Sequence, residues 1–476
     1  MDKQAVYDHI DANFDTYLEQ IRDYLRQTGV SITGEGILET ANYTAALIEH
    51  VGGTSELVPT KGNPVVYGRM NSNRGDAKTL IASSLYDVVP ADPAQWITDP
   101  FGAEIVDSND HPEVGWDVCR GATLVGRGAR NQRAPNLAFM LTLKAIKDVT
   151  GDIPCNILFT FDGEEELSSP NWTEFLEKKQ DELMTADGAY QHGFRQEESG
   201  RHMIQLGFKG ISLFELVVEG GEWGGTLDAR DLGPGDMVWV DAPVLILLKA
   251  IASILDDNGH CTIDGFWENV PPPTAKEEVL YAKLREEFDE EKAKKARNVS
   301  HFRTHKPAAD LYVEWASSPI VNIDGLVAGY TSEQYTTVVP MKATAKMDVR
   351  LVPNQTLEEF YDKLRKHLDA RGLQMVQVKR RGGVQPGKTD PDDPLIRAAA
   401  EVTTEEFNTP IQVWPISSAG NPLAFYARPP FNLPILFAGL GFSWKAHMPN
   451  EWCDVEGIRD SMKWIVAFLE DWSNRK

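Results

Sequence analysis

Cysteine is scarce in this chain of 476 residues. Cys119, Cys155, Cys261 and Cys453 are scattered, with no C-x-x-C pair. That excludes a disulfide framework and reads as free, buried thiols in a reducing cytoplasm. Basic residues are in deficit, 47 against 71 acidic, for a net charge of −24. Such a chain repels phosphate backbones and anionic lipid, so neither nucleic acid nor a membrane is expected as a partner. No apolar run approaches the roughly 18 residues a membrane span needs. The first twenty residues carry acids throughout and lack an apolar core, so no secretory signal is expected. Histidine is sparse as well, ten in all. His301 and His305 stand four apart in "HFRTH" but lack the glutamate of H-E-x-x-H, and they read as surface residues.

What is present alternates in texture. Residues 3–27 place Val6, Ile10, Phe14, Tyr17, Ile21 and Tyr24 at helical steps of three and four. Apolar runs at 64–67, 79–83 and 156–161 read as strands. Residues 136–149 read as a helix opened by Pro135. Strand and helix in alternation imply an α/β sheet with helical cover. From about Gly207 the pattern changes to half-buried alternation, as in "ISLFELVVEG" and "TAKMDVRLVP". A charged stretch between them, "AKEEVLYAKLREEFDEEKAKKAR", reads as a solvated helix face. "KRRGGVQPGKTDPDDP" reads as a turn-rich linker, after which the α/β texture returns. The expected organisation is one α/β domain with a central, mostly parallel sheet, residues 1–206 and 381–476. It is interrupted by a smaller α+β domain, residues 207–380.

Chemistry gathers where strands are expected to end, which is where open α/β sheets bind ligands. Glu164, Glu165 and Glu166 follow the apolar strand "NILFTF" directly. Such acids repel unless a cation or proton separates them. One could ligate a metal while its neighbour works as general base on water. The alternative is that they cap the next helix. His447, in a loop before the closing helix, offers a ring nitrogen to a metal, or is a surface residue. His192 has the same standing.

The ordered blocks "YDVVP…WITDPF", "GRGA", "GEEELSSP", "FKGISLFEL", "NIDGL", "RLVPNQ" and "HMPNEW" resemble the carnosinase, acetylornithine deacetylase and carboxypeptidase G family. These are dinuclear zinc aminoacylases and dipeptidases, and the insert with "IDGFWENVPPP" is most similar to the dipeptidase branch. The resemblance implies that the β-rich insert is a lid and dimerisation domain, and hence a homodimer. It implies Glu165 as general base, Glu166 and His447 as metal ligands, and Asp87 as the aspartate beside a metal-binding histidine. Arg350 matches a family arginine on a lid strand, there to face substrate or to form a structural ion pair, and "SSAGNP" with Asn421, a candidate substrate contact, stands in place of the family's glycine-serine turn.

Several positions depart from that pattern. Leu85 stands where the family has its first histidine ligand. Asn131 stands for the aspartate that bridges the two metals. The fourth ligand falls on His192 or Gly193, and Gly233 replaces the lid histidine that stabilises the oxyanion. The resulting expectation is a hydrolase of a C–N bond in a specialised, amino-acid-like substrate. Its site would hold at most one divalent metal, zinc or manganese, on Glu166, His447, Asn131 and His192, or none. A non-catalytic ligand- or partner-binding relative, and a metal-free acid/base enzyme using Glu165, are the alternatives.

Overall fold

The computed structural model describes residues 1–475. The periodic apolar face at the N-terminus forms the helix Lys3–Leu25, which buries Val6, Ile10, Phe14, Tyr17, Ile21 and Tyr24. The Asp2 side chain caps its start by accepting the N–H of Ala5. This helix packs with Arg133–Thr150 and Val455–Asn474 on one face of an eight-stranded sheet. The other face is covered by Trp172–Leu183 and the turn Pro422–Ala427.

At the sheet's centre the strand Thr79–Leu85 lies between Asn156–Asp162 and Gly188–His192, parallel to both. Ile435–Ala438 then pairs in parallel with Gly188–His192. Thr54–Val58 and Val65–Met70 add an antiparallel edge. The strands Thr79–Leu85 and Asn156–Asp162 have mostly buried residues on both faces, as a sheet covered on both sides requires. The expected α/β class, with a mostly parallel central sheet, is what the chain adopts.

The insert carries a four-stranded antiparallel sheet, in the order Ile320–Ala328, Lys342–Leu351, Gly210–Glu219, Gln377–Val384. It has its own core, where Phe214, Leu216 and Met347 meet Leu247 and Ile251 of one helix and Phe360 and Leu364 of another. Two segments differ from the sequence reading. "KRRGGV", taken as linker, is the edge strand Gln377–Val384, paired with Ile211–Val217. Its Arg380 and Arg381 are exposed, and exposed charge on an edge strand resembles loop in one dimension. The charged stretch is two helices, Ala275–Glu286 and Glu290–Arg297. The second is solvated along its length, but the first buries Tyr281 and Leu284 against Val313, Ala316 and Trp414. Two apolar anchors a helical turn apart suffice to seat it.

Candidate active site

The parallel pairing of Thr79–Leu85 with Asn156–Asp162 brings the two chain segments that follow to the same end of the sheet. Asp87, two residues past the first strand, is fully buried. Its carboxylate accepts the backbone N–H of Glu165 at 3.2 Å and of Glu166 at 3.1 Å. Asp87 therefore holds the loop that carries the two glutamates, acting through their backbone. The acids do not cap the next helix. Glu165–Leu167 is a single 3-10 turn, and the helix begins later, at Trp172.

Glu166 points into a tight polar trio. Its Oε1 accepts from Asn131 Nδ2 at 2.8 Å and lies 3.1 Å from His447 Nε2. Asn131 Nδ2 and His447 Nε2 are themselves 2.8 Å apart. His447 sits in a left-handed backbone conformation, φ 63°, at the turn before the closing helix. The Glu166 carboxylate beside it raises the imidazole pKa. Burial raises the Glu165 carboxyl well above the usual carboxylate range, and Glu166, Asp87 and Asp162 push it the same way. Asp87 is raised likewise, chiefly by burial, with Asp162 and Glu166 adding.

A second acid, Glu451, fixes the Asn131 side of the trio. It is fully buried, and its Oε1 accepts the N–H groups of Arg130 (2.9 Å) and Asn131 (2.8 Å). Its Oε2 pairs with buried Arg127 at 2.7 Å. Arg133 turns away from the trio. Its guanidinium serves the carbonyls of Tyr86, Gln27, Thr28 and Gly29. Sequence reading did not single out Glu451 or Arg127 for this work. The signal available was their place inside the blocks "HMPNEW" and "GRGA".

Other expected site residues lie elsewhere. His192 is not with the trio. It shares a face of its strand with Tyr190, since side chains alternate. Its Nδ1 bonds the Tyr190 hydroxyl at 2.7 Å and its Nε2 the Ser461 hydroxyl at 3.0 Å. Phe139, Phe194 and Trp464 surround the ring, and burial drives its pKa down to about 3. It is a neutral core imidazole with both nitrogens engaged, so the expectation that it ligates a metal is corrected. Asn421 is also committed. Its Nδ2 donates to Gln191 Oε1 and its Oδ1 accepts the N–H of Leu423, both at 2.8 Å. Arg350 donates from Nε to Asp348 at 2.8 Å within the insert sheet. Gly233 lies in an exposed loop that starts a 3-10 turn.

Thr79–Leu85 pairs in parallel with Gly188–His192 as far as Ala82↔Tyr190; Leu85 ends the first strand and Gly193 follows the second. Neither can ligate. A Cβ on Gly193 would lie 2.5 Å from the Phe437 ring and 3.2 Å from Arg195 Cδ. The Arg195 guanidinium lies 4.6 Å over that ring and donates to Gln205 Oε1 at 3.1 Å. Burial lowers its pKa to about 9, and Arg130 adds to the effect. Arg130 lies over Trp444, and its buried Nε has no hydrogen-bond partner.

Residues 84–471 match the profile of Peptidase family M20/M25/M40. The chain belongs to that family. The M20 relatives include the Cys-Gly metallodipeptidase DUG1 of Saccharomyces cerevisiae, 25% identical over 86% of this chain and 82% of that protein. The Beta-Ala-His dipeptidase of Homo sapiens is 25% identical over 74% of this chain and 63% of that one. Among solved structures, the M20 family metallo-carboxypeptidase Sso-CP2 of Sulfolobus solfataricus superposes with a TM-score of 0.85 at 29% identity. That match covers 96% of this chain and 99% of the other. The dipeptidase likeness expected from the sequence motifs is therefore shown.

Proposed function

We propose that this chain hydrolyses the C–N bond of a small, amino-acid-like amide, with at most one divalent metal at Asn131, Glu166 and His447. The observation that carries the reading is the convergence of those three side chains beside Glu165. Leu85 and Gly193 offer no side-chain ligand atom. The dipeptidase names of the DUG1 and human relatives support a dipeptide-sized substrate.

The residues fit one ion and not two. A tetrahedral metal with bonds of about 2.0 Å sets its ligand atoms roughly 3.3 Å apart. The trio, at 2.8 to 3.1 Å, accepts one after a small expansion and a turn of the Asn131 amide that presents its oxygen. Zinc and manganese both suit an imidazole, a carboxylate and an amide. A bound ion would supply a Lewis acid for the scissile carbonyl. Glu165 takes a proton from the attacking water and returns it to the leaving amine, a task favoured by its raised pKa. Asp87 holds Glu165 and Glu166 in register, and Glu451 holds Asn131. Arg130 and Arg195 supply positive charge for a substrate carboxylate. We extend the reading to a homodimer formed through the insert sheet, whose edge strand exposes Leu326 and Val327. We place the protein in the cytoplasm, which four buried free thiols favour.

A second reading has its own support. Asn131 points its Nδ2 at both partners, a closed hydrogen-bonded trio that needs no ion. On that basis Glu165 would act alone, or the cleft would bind without turnover. Metal analysis together with assay of Cys-Gly, β-Ala-His and a panel of N-acyl amino acids separates these. About one ion per chain, lost in Glu166→Ala together with turnover, supports the mononuclear hydrolase. Glu165-dependent turnover without metal supports the metal-free enzyme, and neither metal nor turnover leaves a binding protein.

A further inference from the structure

We infer that the insert holds a metal site of its own, in which His260, His305 and Glu314 bind one zinc-class divalent ion. Each offers a ligand atom, and all of these atoms lie within 4.8 Å of one another. His260 Nε2 is 3.3 Å from Glu314 Oε1. A tetrahedral ion with bonds of about 2.0–2.1 Å spaces neighbouring ligand atoms by roughly 3.3 Å. The two atoms already stand at the separation one shared ion would impose.

The surroundings agree. The other ring nitrogen of His260, Nδ1, faces Asp256 Oδ2 at 3.6 Å. An outer carboxylate of this kind fixes the tautomer of a ligating imidazole. Asp256 is itself held, since its Oδ1 accepts the N–H groups of Asn258 and His260 at 2.8 Å. Lys306 takes the other oxygen of Glu314, Oε2, at 2.6 Å, and so orients the carboxylate with Oε1 toward the imidazoles. His305 meets His260 edge-on, ring centroids 5.5 Å apart. His305 thus pairs with a histidine 45 positions away rather than with His301, whose ring bonds Ser300.

Two imidazoles and one carboxylate select zinc and its transition-metal neighbours over magnesium or calcium. The fourth position opens on a cavity of about 560 Å³ that all three residues line. The ligands come from three segments: the turn after the helix Pro243–Ile254, the loop before Ala308–Ser317, and that helix itself. An ion there cross-links the loop to the body of the insert. Lys306 and Arg303, which packs against Gly259, oppose a dication. The site is therefore expected to be weaker than a four-ligand structural zinc site.

The test uses the full chain carrying Glu166→Ala, which removes the ion proposed at the catalytic cleft, titrated with Zn²⁺ against a chromophoric chelator. One equivalent per chain is expected, weakened at least tenfold by adding His305→Ala and likewise by adding Glu314→Gln. X-ray absorption of the zinc-loaded Glu166→Ala protein should show imidazole scattering from two histidines. Absence of zinc binding in that protein, or affinity unchanged by either added substitution, overturns the site. His305 is exposed on a loop, so its replacement leaves the fold to be checked by a simple thermal melt.

Discussion

The two sides of the cleft have had opposite fates. On one side Asn131, Glu166 and His447 stay within 3.1 Å of one another, backed by Asp87 and Glu451. On the other, Leu85 and Gly193 have no ligand atom, and Phe437 and Arg195 fill the space a longer side chain at 193 would need. The difference teaches that the loss is spatially coherent. Positions 85 and 193 lie far apart in sequence, one ending the strand Thr79–Leu85 and the other just past its parallel neighbour Gly188–His192. The positions that still carry polar groups cluster separately. On the proposed reading, loss confined to one side would be the pattern of a site reduced from two ions to one. The largest effect should come from the group that works beside the surviving side. Glu165→Gln keeps the shape and removes the proton acceptor, so kcat should fall by about 10²–10⁴. Metal content measured on the same sample should not change. Loss of metal in this variant would place Glu165 in the ligand set and break the division of labour between the two glutamates.

Glu451 tests the backing of that same side. Replacing it with alanine leaves Arg127 buried without its partner and frees two backbone N–H groups. Breaking a buried pair in this way costs about 3–5 kcal/mol. Chemical denaturation of Glu451→Ala should show a loss of that size. Activity should fall further than folding explains, because Asn131 loses its anchor. A variant as stable as the parent would mean that Arg127 finds another acceptor.

The sheet and its helices were legible because burial dictates period. The face from Val6 to Tyr24 and the runs 79–83 and 156–161 each appear as the elements expected. The blocks carrying Glu166 and His447 stand out in the sequence, but the contact between the two depends on how the chain folds, which no local pattern encodes. The misreading of His192 was avoidable. Tyr190 and His192 are two apart on one strand and must share a face, so a tyrosine that packs into the core takes the histidine with it. The edge strand Gln377–Val384 was not legible, because exposed arginines carry no alternation of burial to read. The trio of His260, His305 and Glu314 was hidden for another reason: its members lie up to 54 residues apart, on segments joined by the insert's fold.

The acids beneath the surviving side predict a pH dependence. Burial pushes the Asp162 carboxyl up to about 6 from an ordinary 3.8. The folded protein then holds this proton more tightly than the unfolded chain. The stabilisation is complete below about pH 4 and is lost as pH rises through about 6. Asp162→Asn keeps an oxygen for the Glu164 N–H and removes the titration. From pH 4 to 7 the stability of the variant relative to the parent should rise by roughly 2–3 kcal/mol. Denaturation of metal-free protein at several pH values checks this. A difference that stays flat would mean that the carboxyl is ionised throughout, and that its field on Glu165 is larger than burial alone implies.

The smallest expected effect is the most informative about the lost side. Leu85→His introduces an imidazole where the family resemblance implies a histidine ligand, at a residue only 2% exposed. If one missing ligand were the sole obstacle, a second ion should bind. It should not, because Gly193 still offers nothing and the Phe437 ring and Arg195 still occupy the space beside it. Metal content of Leu85→His should equal that of the parent, measured on protein loaded with excess zinc and desalted. Adding Gly193→Asp should lower stability rather than raise metal content, since its Cβ meets Phe437 at 2.5 Å. The further change Phe437→Ala removes the nearer obstacle and leaves Arg195 Cδ at 3.2 Å. A second ion appearing with Leu85→His alone would show that the two sides differ by a single side chain. The guanidinium of Arg195 would then be no bar to a second ion.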